Sequence, residues 1–169
     1  MISNMIVAFY VKPQSGNTST IKFGSWDKNA IKGTLLMYKT TSPFSWALDG
    51  QQFKLGANDL ALGHRFLELD PMFPFLYIPD ADFQVFAKQV HKNYERFFQN
   101  NICDDAKCKW EKPCDQVEGK KDMNLGIRIQ DFNTDHTYTV KEDDMFISGS
   151  ELGEDANHCY LAVFKSQTQ

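Results

Sequence analysis

Residues 66–79 read Phe-Leu-Glu-Leu-Asp-Pro-Met-Phe-Pro-Phe-Leu-Tyr-Ile-Pro, and they carry the strongest indication of the architecture. An apolar, strand-like run ends at Asp70. A second apolar run follows at once and ends at Pro79. A carboxylate on a tight loop between two buried strands is costly to remove from water. We therefore expect Asp70 to have a role beyond packing.

The segment after Pro79 predicts one amphipathic helix over about residues 80–99. Asp80 suits the position before the first helical turn, and Asp82 suits the positive end of the helix dipole. Apolar side chains recur at three- and four-residue spacing, which predicts one buried face. They are Phe83, Phe86, Val90, Tyr94 and Phe97.

The remaining pattern predicts short β-strands. Residues 6–11 and 18–23 flank a turn-rich segment and predict a hairpin. Asp49-Gly50, between apolar residues 44–48 and 52–55, predicts a two-residue hairpin turn. Further strands are predicted over residues 32–39, 60–62, 66–69, 125–129, 137–140, 145–147 and 159–164. The fold class is therefore predicted to be mainly β with one helix.

Length and composition favour one globular domain. The chain has 169 residues, of which 42% are hydrophobic, so a real core is expected and disorder is not. A net charge of -4 without a basic stripe argues against a nucleic-acid partner. No apolar run is long enough to span a membrane, and residues 1–5 lack the basic start of a signal peptide.

Four cysteines occur at positions 103, 108, 114 and 159. A zinc ribbon needs two close pairs of ligands, whereas this chain has one close group. We favour two disulfides over free thiols, with the pairs Cys103–Cys108 and Cys114–Cys159. Together with the glycosylation sequon at 17–19, the disulfides favour the secretory pathway.

Five features, taken in their order along the chain, resemble the C-terminal lobe of a pepsin-like aspartic protease. The first two are Val7-Ala8-Phe9-Tyr10-Val11 and Ile21-Lys22-Phe23-Gly24-Ser25-Trp26-Asp27. The third is Gly33-Thr34-Leu35 followed by Trp46, and the fourth is Leu69-Asp70-Pro71-Met72 with the run that ends at Pro79. The last comprises Cys114, residues 125–129 and 138–140, and Cys159-Tyr160-Leu161. Each motif alone is weakly specific, but together they span nearly the whole chain.

The resemblance implies a single lobe of the pepsin-like acid protease fold over residues 1–169, incomplete at both ends. Its partners would be the missing N-terminal lobe of the same protein and a peptide or protein substrate. The family hydrolyses peptide bonds with two aspartates that share one proton, without a metal or cofactor. One carboxylate activates water and the other protonates the carbonyl. Asp70 would be the catalytic residue of this lobe, and the compartment would be extracellular or the lysosome or vacuole.

The motif at Asp70 departs from the Asp-Thr-Gly of that family. Pro71 has neither the threonine hydroxyl nor an N–H group, and Met72 adds bulk where close backbone approach is wanted. The chain supplies one aspartate at most, so it is expected to be inactive alone unless Asp70 meets Asp70 in a homodimer. The alternative is a pseudo-protease lobe that binds a peptide or protein without cutting it. An unrelated secreted β domain, in which Asp70 accepts turn hydrogen bonds, is a third interpretation.

One further segment has side chains of the kind that bind calcium. Oxygen-bearing residues at 131, 133, 135, 137, 139 and 142 have the spacing of an EF-hand loop. His136 stands where that loop needs glycine, however, and the flanks predict strands, so a polar hairpin is favoured over a calcium site.

A lone lobe would also expose apolar surface, which predicts that the isolated chain self-associates. The candidate residues are Ile6, Val7, Phe9, Phe73 and Phe75.

Overall fold

The computed structural model describes residues 6–10, 19–70, 75–94, 102–131 and 134–166, with the side chain of Tyr94 outside this description. The chain divides into two compact units, residues 1–37 and 38–169.

The first unit contains the predicted N-terminal hairpin. Strand β1 (Val7–Tyr10) pairs antiparallel with β2 (Thr20–Phe23), and a short 3-10 helix follows over Lys28–Ala30. The strand predicted over residues 32–39 is wrong, because this segment is irregular. Leu35 and Met37 are 52% and 75% exposed, and none of residues 32–39 is fully buried, so little apolar burial holds this segment as a strand.

The second unit holds the remaining described elements. Its strands are β3 (Ala47–Leu55), β4 (Asn58–Asp59), β5 (Arg65–Glu68), β6 (Leu76–Ile78), β7 (Lys109–Trp110), β8 (Leu125–Asp131), β9 (Thr134–Val140), β10 (Phe146–Ser148), β11 (Cys159–Leu161) and β12 (Val163–Lys165). Its helices are α1 (Asp80–Tyr94) and α2 (Glu142–Met145), with 3-10 helices over Cys114–Gln116, Lys120–Asp122 and Gly149–Leu152.

Three sheets organise this unit. The largest has the order β4-β3-β8-β9, with β5 paired to the first half of β3, and all its pairings are antiparallel. A second sheet has the order β10-β11-β7 and is also antiparallel. The third joins β12 to β6 in parallel. The mainly β fold class is thus confirmed.

The predicted turn at Asp49-Gly50 is wrong, because both residues lie inside the continuous strand β3. Gly50 is buried and pairs with Arg65 on one side and with Ile129 on the other. A Cβ atom at this position would lie 2.7 Å from Cζ of Phe53. Glycine therefore leaves room for the side chains of Phe53, in the same strand, and of Leu67 in β5. The chain turns later, at residues 56–57.

Helix α1 has the predicted apolar face. Phe83, Phe86 and Val90 are at most 1% exposed and belong to the hydrophobic core. The helix begins at Asp80 and is described as far as Tyr94, so the predicted end near residue 99 and the position of Phe97 lie outside the described residues. The chain has a second helix as well, the short α2, which corrects the expectation of one helix.

The last predicted strand is divided. Residues 159–164 read as one apolar run, but the strand is interrupted at Ala162. The two parts are β11 and β12, which belong to different sheets. The amide of Ala162 donates to Met145 O, and its carbonyl accepts from the amide of Leu76. The run predicted over 60–62 forms no strand, and its Leu60 instead packs in the core.

Both expected disulfides are present. Cys103 is bonded to Cys108 and Cys114 to Cys159, and no free cysteine remains. The second bond joins the 3-10 helix over Cys114–Gln116 to strand β11, across 45 residues of sequence. It therefore fixes a loop region against the buried three-stranded sheet.

Candidate active site

Asp70 lies between two strands, as the sequence predicts. Strand β5 ends two residues before it, and β6 begins at Leu76. The side chain of Asp70 is exposed. The amide of Leu69 donates to the carbonyl of Trp46 at 3.0 Å, so the contact between the β3 and β5 segments continues up to the residue before Asp70. Pro71, Met72 and Phe73 lie outside the described residues.

Strand β5 alternates between the core and solvent. Leu67 packs against the core, whereas Phe66 is 78% exposed. This period of two orients successive side chains to opposite faces of the sheet. The backbone that leads to Asp70 is therefore held by sheet pairing and by one buried face.

A bidentate ion pair joins β5 to helix α1. Arg65 donates through Nε to Oδ2 of Asp82 at 2.6 Å and through Nη2 to Oδ1 at 2.8 Å. Asp82 is only 5% exposed. The hydrogen bond to Asp82 raises the pKa of the Arg65 guanidinium above its usual value. The pair connects the strand before the Asp70 loop to the helix that begins after β6.

A small cavity of about 110 Å³ lies beside this ion pair. Strands β5 and β6 and helix α1 contribute to its walls, for example through Leu67, Ile78 and Phe86. Its lining is otherwise mostly apolar, with Arg65 and Asp82 as the charged groups. Both strands that flank Asp70 thus border incompletely filled apolar space.

A larger, open groove of about 680 Å³ lies elsewhere in the second unit. It is lined by residues 38–41, by β3 residues that include Asp49, and by the end of β8. The amide of Lys39 donates to Oδ2 of Asp131 at 2.6 Å. Burial and the hydrogen bond with Tyr138 raise the pKa of Tyr38 to about 12. Asp70 is not among the described residues that line either space.

The EF-hand-like spacing belongs to a β-hairpin. Residues from Thr134 to Val140 form β9 and pair with β8, so helices do not bracket this segment. Asp135 binds Arg128, with Nε to Oδ1 at 2.8 Å and Nη2 to Oδ2 at 2.5 Å. Hydrogen bonding to Arg128 lowers the pKa of Asp135. Position 133 lies outside the described residues. The favoured polar hairpin is therefore confirmed for the part described.

Sequence reasoning did not identify Arg65 as part of this site. Asp82 was assigned to the helix dipole, because its position in the first turn predicts that interaction. The available signal is a cation immediately before the strand predicted over residues 66–69, five residues before Asp70. Nothing in the sequence pairs it with a carboxylate 17 residues later.

The described helices include none long and apolar enough to cross a lipid bilayer. Among the described residues, no group of three or more His, Cys, Asp and Glu side chains is placed to hold a metal ion.

Comparison with known families identifies the chain. The profile described as "Eukaryotic aspartyl protease" matches residues 1–169, whereas a comparison with curated proteins finds no match. Proteases act on peptide bonds, and the mainly β architecture of the chain agrees with this family's fold. The chain belongs to the eukaryotic aspartyl protease family.

Proposed function

We propose that the chain is the C-terminal lobe of a pepsin-like aspartic endopeptidase and that Asp70 is its member of the catalytic dyad. The observation that carries the proposal is the position of Asp70, which is exposed on the connection between β5 and β6. The family match over the whole chain supports it. The partner lobe would supply the second aspartate.

The chemistry follows from two carboxylates that share one proton. Like charges at close range cannot both be ionised, so the two pKa values separate. The ionised carboxylate takes a proton from the attacking water, and the protonated one donates to the carbonyl oxygen. Asp70 is exposed in this chain, and a second lobe would remove it from bulk water and bring it beside its partner.

A second candidate is a pseudo-protease lobe that binds a peptide without cutting it. The observation that favours it is the sequence Asp70-Pro71-Met72, in which the hydroxyl and the small residue of Asp-Thr-Gly are both replaced. Proline cannot donate a backbone hydrogen bond to steady the carboxylate. Peptide binding needs a cleft between the lobes and does not need an aspartate dyad.

Peptide cleavage by the longest natural form of the protein separates these candidates. We expect pepstatin-sensitive cleavage at acid pH that falls about 10³-fold or more in Asp70→Asn, because one member of a catalytic pair is removed. Asp143→Asn, an exposed carboxylate on α2, is the matched control and should retain activity. Pepstatin binding without cleavage would favour the pseudo-protease, and cleavage that survives Asp70→Asn would contradict the proposed role.

The cellular setting follows from the same proposal. Two disulfides are stable in oxidising compartments, and eukaryotic aspartyl proteases are typical of the secretory pathway. We therefore place the protein outside the cell or in a lysosome or vacuole. Its partners would be the N-terminal lobe of the same protein and the peptide substrate.

A further inference from the structure

One ion pair spans the two sides of the connection that carries Asp70. Arg65 opens strand β5, five residues before Asp70, and Asp82 lies in the first turn of α1, twelve residues after it. Two hydrogen bonds, of 2.6 and 2.8 Å, align the guanidinium with the carboxylate. A bidentate contact fixes orientation as well as distance. It therefore limits both sliding and rotation of β5 relative to the helix.

The burial of Asp82 makes this contact hard to replace. The residue is 5% exposed, and its helix neighbours Phe83 and Phe86 are core residues. A carboxylate in such surroundings needs a paired, hydrogen-bonded partner. Arg65 fulfils this role and also donates through Nη1 to the carbonyl of His64 at 2.8 Å. The Arg65 side chain thus connects the start of β5 both to Asp82 of α1 and to the backbone carbonyl of His64.

The pair is not a consequence of local hairpin geometry. A second bidentate pair among the described residues, Arg128 with Asp135, joins two adjacent strands of one hairpin. The Asp135 side chain is 46% exposed, whereas that of Asp82 is 8% exposed. Arg65 and Asp82 instead connect a strand, β5, to a helix, α1, and no sheet pairing brings these two elements together. The Arg128 pair therefore offers a matched comparison with the same chemistry at an unrelated place.

We infer that Arg65 is a positioning residue for Asp70, acting through its bidentate contact with Asp82. The far end of β5 is held by the hydrogen bond from Leu69 to Trp46, and its near end is held by Arg65. The strand between these two anchors leads directly into Asp70, which is the residue after Leu69. The inference rests on the proposed function, since a position for Asp70 matters only if its carboxylate reacts or binds.

The test is NMR of the folded chain, labelled with ¹³C and ¹⁵N, at a concentration where light scattering shows a single species. Arg65→Gln and Asp82→Asn should both displace the Asp70 carboxyl and amide signals, in the same direction. Arg65→Lys keeps the charge but loses the fork, so its displacement should be smaller. Arg128→Gln should leave the Asp70 signals where they are in the unsubstituted chain.

A merely structural role gives a different result. If Arg65→Gln lowers the melting temperature while the Asp70 signals of the folded protein stay unchanged, the positioning role is wrong. Should Arg65→Gln and Asp82→Asn fail to fold, Arg65→Lys alone decides by the same criterion. The readout involves no peptide cleavage, so a failure of the positioning role can be distinguished from a failure of the proposed function.

Discussion

At the scale of single residues, glycine has two different uses in and after strand β3. Gly50 sits where Leu67 and Phe53 approach the backbone, with Leu67 Cδ1 2.8 Å from the place a Cβ would occupy. Gly56 adopts a φ of +59° at the end of the strand, and its amide donates to the carbonyl of Asn124 at 2.8 Å. The sequence Asp49-Gly50 predicts a turn, but these residues lie inside β3, and the turn forms at Gly56.

Gly56→Ala should destabilise the chain more than Gly63→Ala does. Both glycines have positive φ, which costs an L-residue about 1–2 kcal/mol. At Gly56 the added Cβ would also clash with the backbone oxygen of Asp122, whereas at Gly63 it meets open space. We expect about 1 kcal/mol for Gly63→Ala and about 3 kcal/mol for Gly56→Ala in urea denaturation. Equal losses would contradict the close approach of Asp122.

Two residues of the candidate site, Asp70 and Arg65, differ in whether the sequence predicts their role. The sequence singles out Asp70 because it lies on a loop between two apolar runs, and in the structure Asp70 lies between β5 and β6. Arg65 was missed because its partner is fixed by how α1 packs on the sheet. A side chain whose role depends on tertiary packing leaves no spacing signal in the sequence.

At the scale of elements, patterns with a strict period were predicted best. The apolar face of α1 and the hairpins β1-β2 and β8-β9 follow from periods of 3.6 and 2. The segment over residues 159–164 was predicted as one strand, since Ala162 carries no turn signal. Its division arises because β11 pairs with β7 and β10, whereas β12 pairs with β6. Such a division depends on distant partners.

Exposed ion pairs between elements predict a stability that falls in acid. Hydrogen bonds from Lys107 and Tyr160 lower the pKa of Glu154, and one from Lys165 lowers the pKa of Asp80. Below the ordinary values of 4.5 for Glu and 3.8 for Asp, the unfolded chain binds protons that the folded chain does not. The folded state therefore loses stability as pH falls through this range.

Urea denaturation between pH 7 and pH 3 measures this effect. The midpoint should be highest near neutral pH and fall below about pH 4.5. Glu154→Gln removes one of the depressed carboxyls and should make the decline shallower. A midpoint that rises on acidification would show that these carboxyls are not stabilised in the folded chain.

At the scale of the whole molecule, the two disulfides should contribute unequally. Cys114–Cys159 closes 45 residues and Cys103–Cys108 closes five. Loop-closure entropy predicts losses of about 4 kcal/mol and about 2 kcal/mol when each pair is replaced by alanine. Chemical denaturation of the two double variants measures both values. A larger loss for Cys103→Ala with Cys108→Ala would contradict this order.

Exposed apolar side chains also predict self-association of the isolated chain. Val7 and Phe9 are 37% and 38% exposed, as the sequence led us to expect, whereas Ile6 and Phe75 are half-buried and Phe73 lies outside the described residues. Phe44 and Phe66 are more exposed, at 96% and 78%. Light scattering should show dimers or larger species, reduced in Phe44→Ser with Phe66→Ser. A concentration-independent monomer would contradict the prediction.

We propose that Asp70 faces a cleft which a second lobe completes. A crystal structure of the longest natural form of the protein with bound pepstatin tests it most directly. We expect the Asp70 carboxylate to lie within about 2.6–3.2 Å of the inhibitor's central hydroxyl group. An inhibitor bound away from Asp70, with this carboxylate facing bulk solvent, would contradict it.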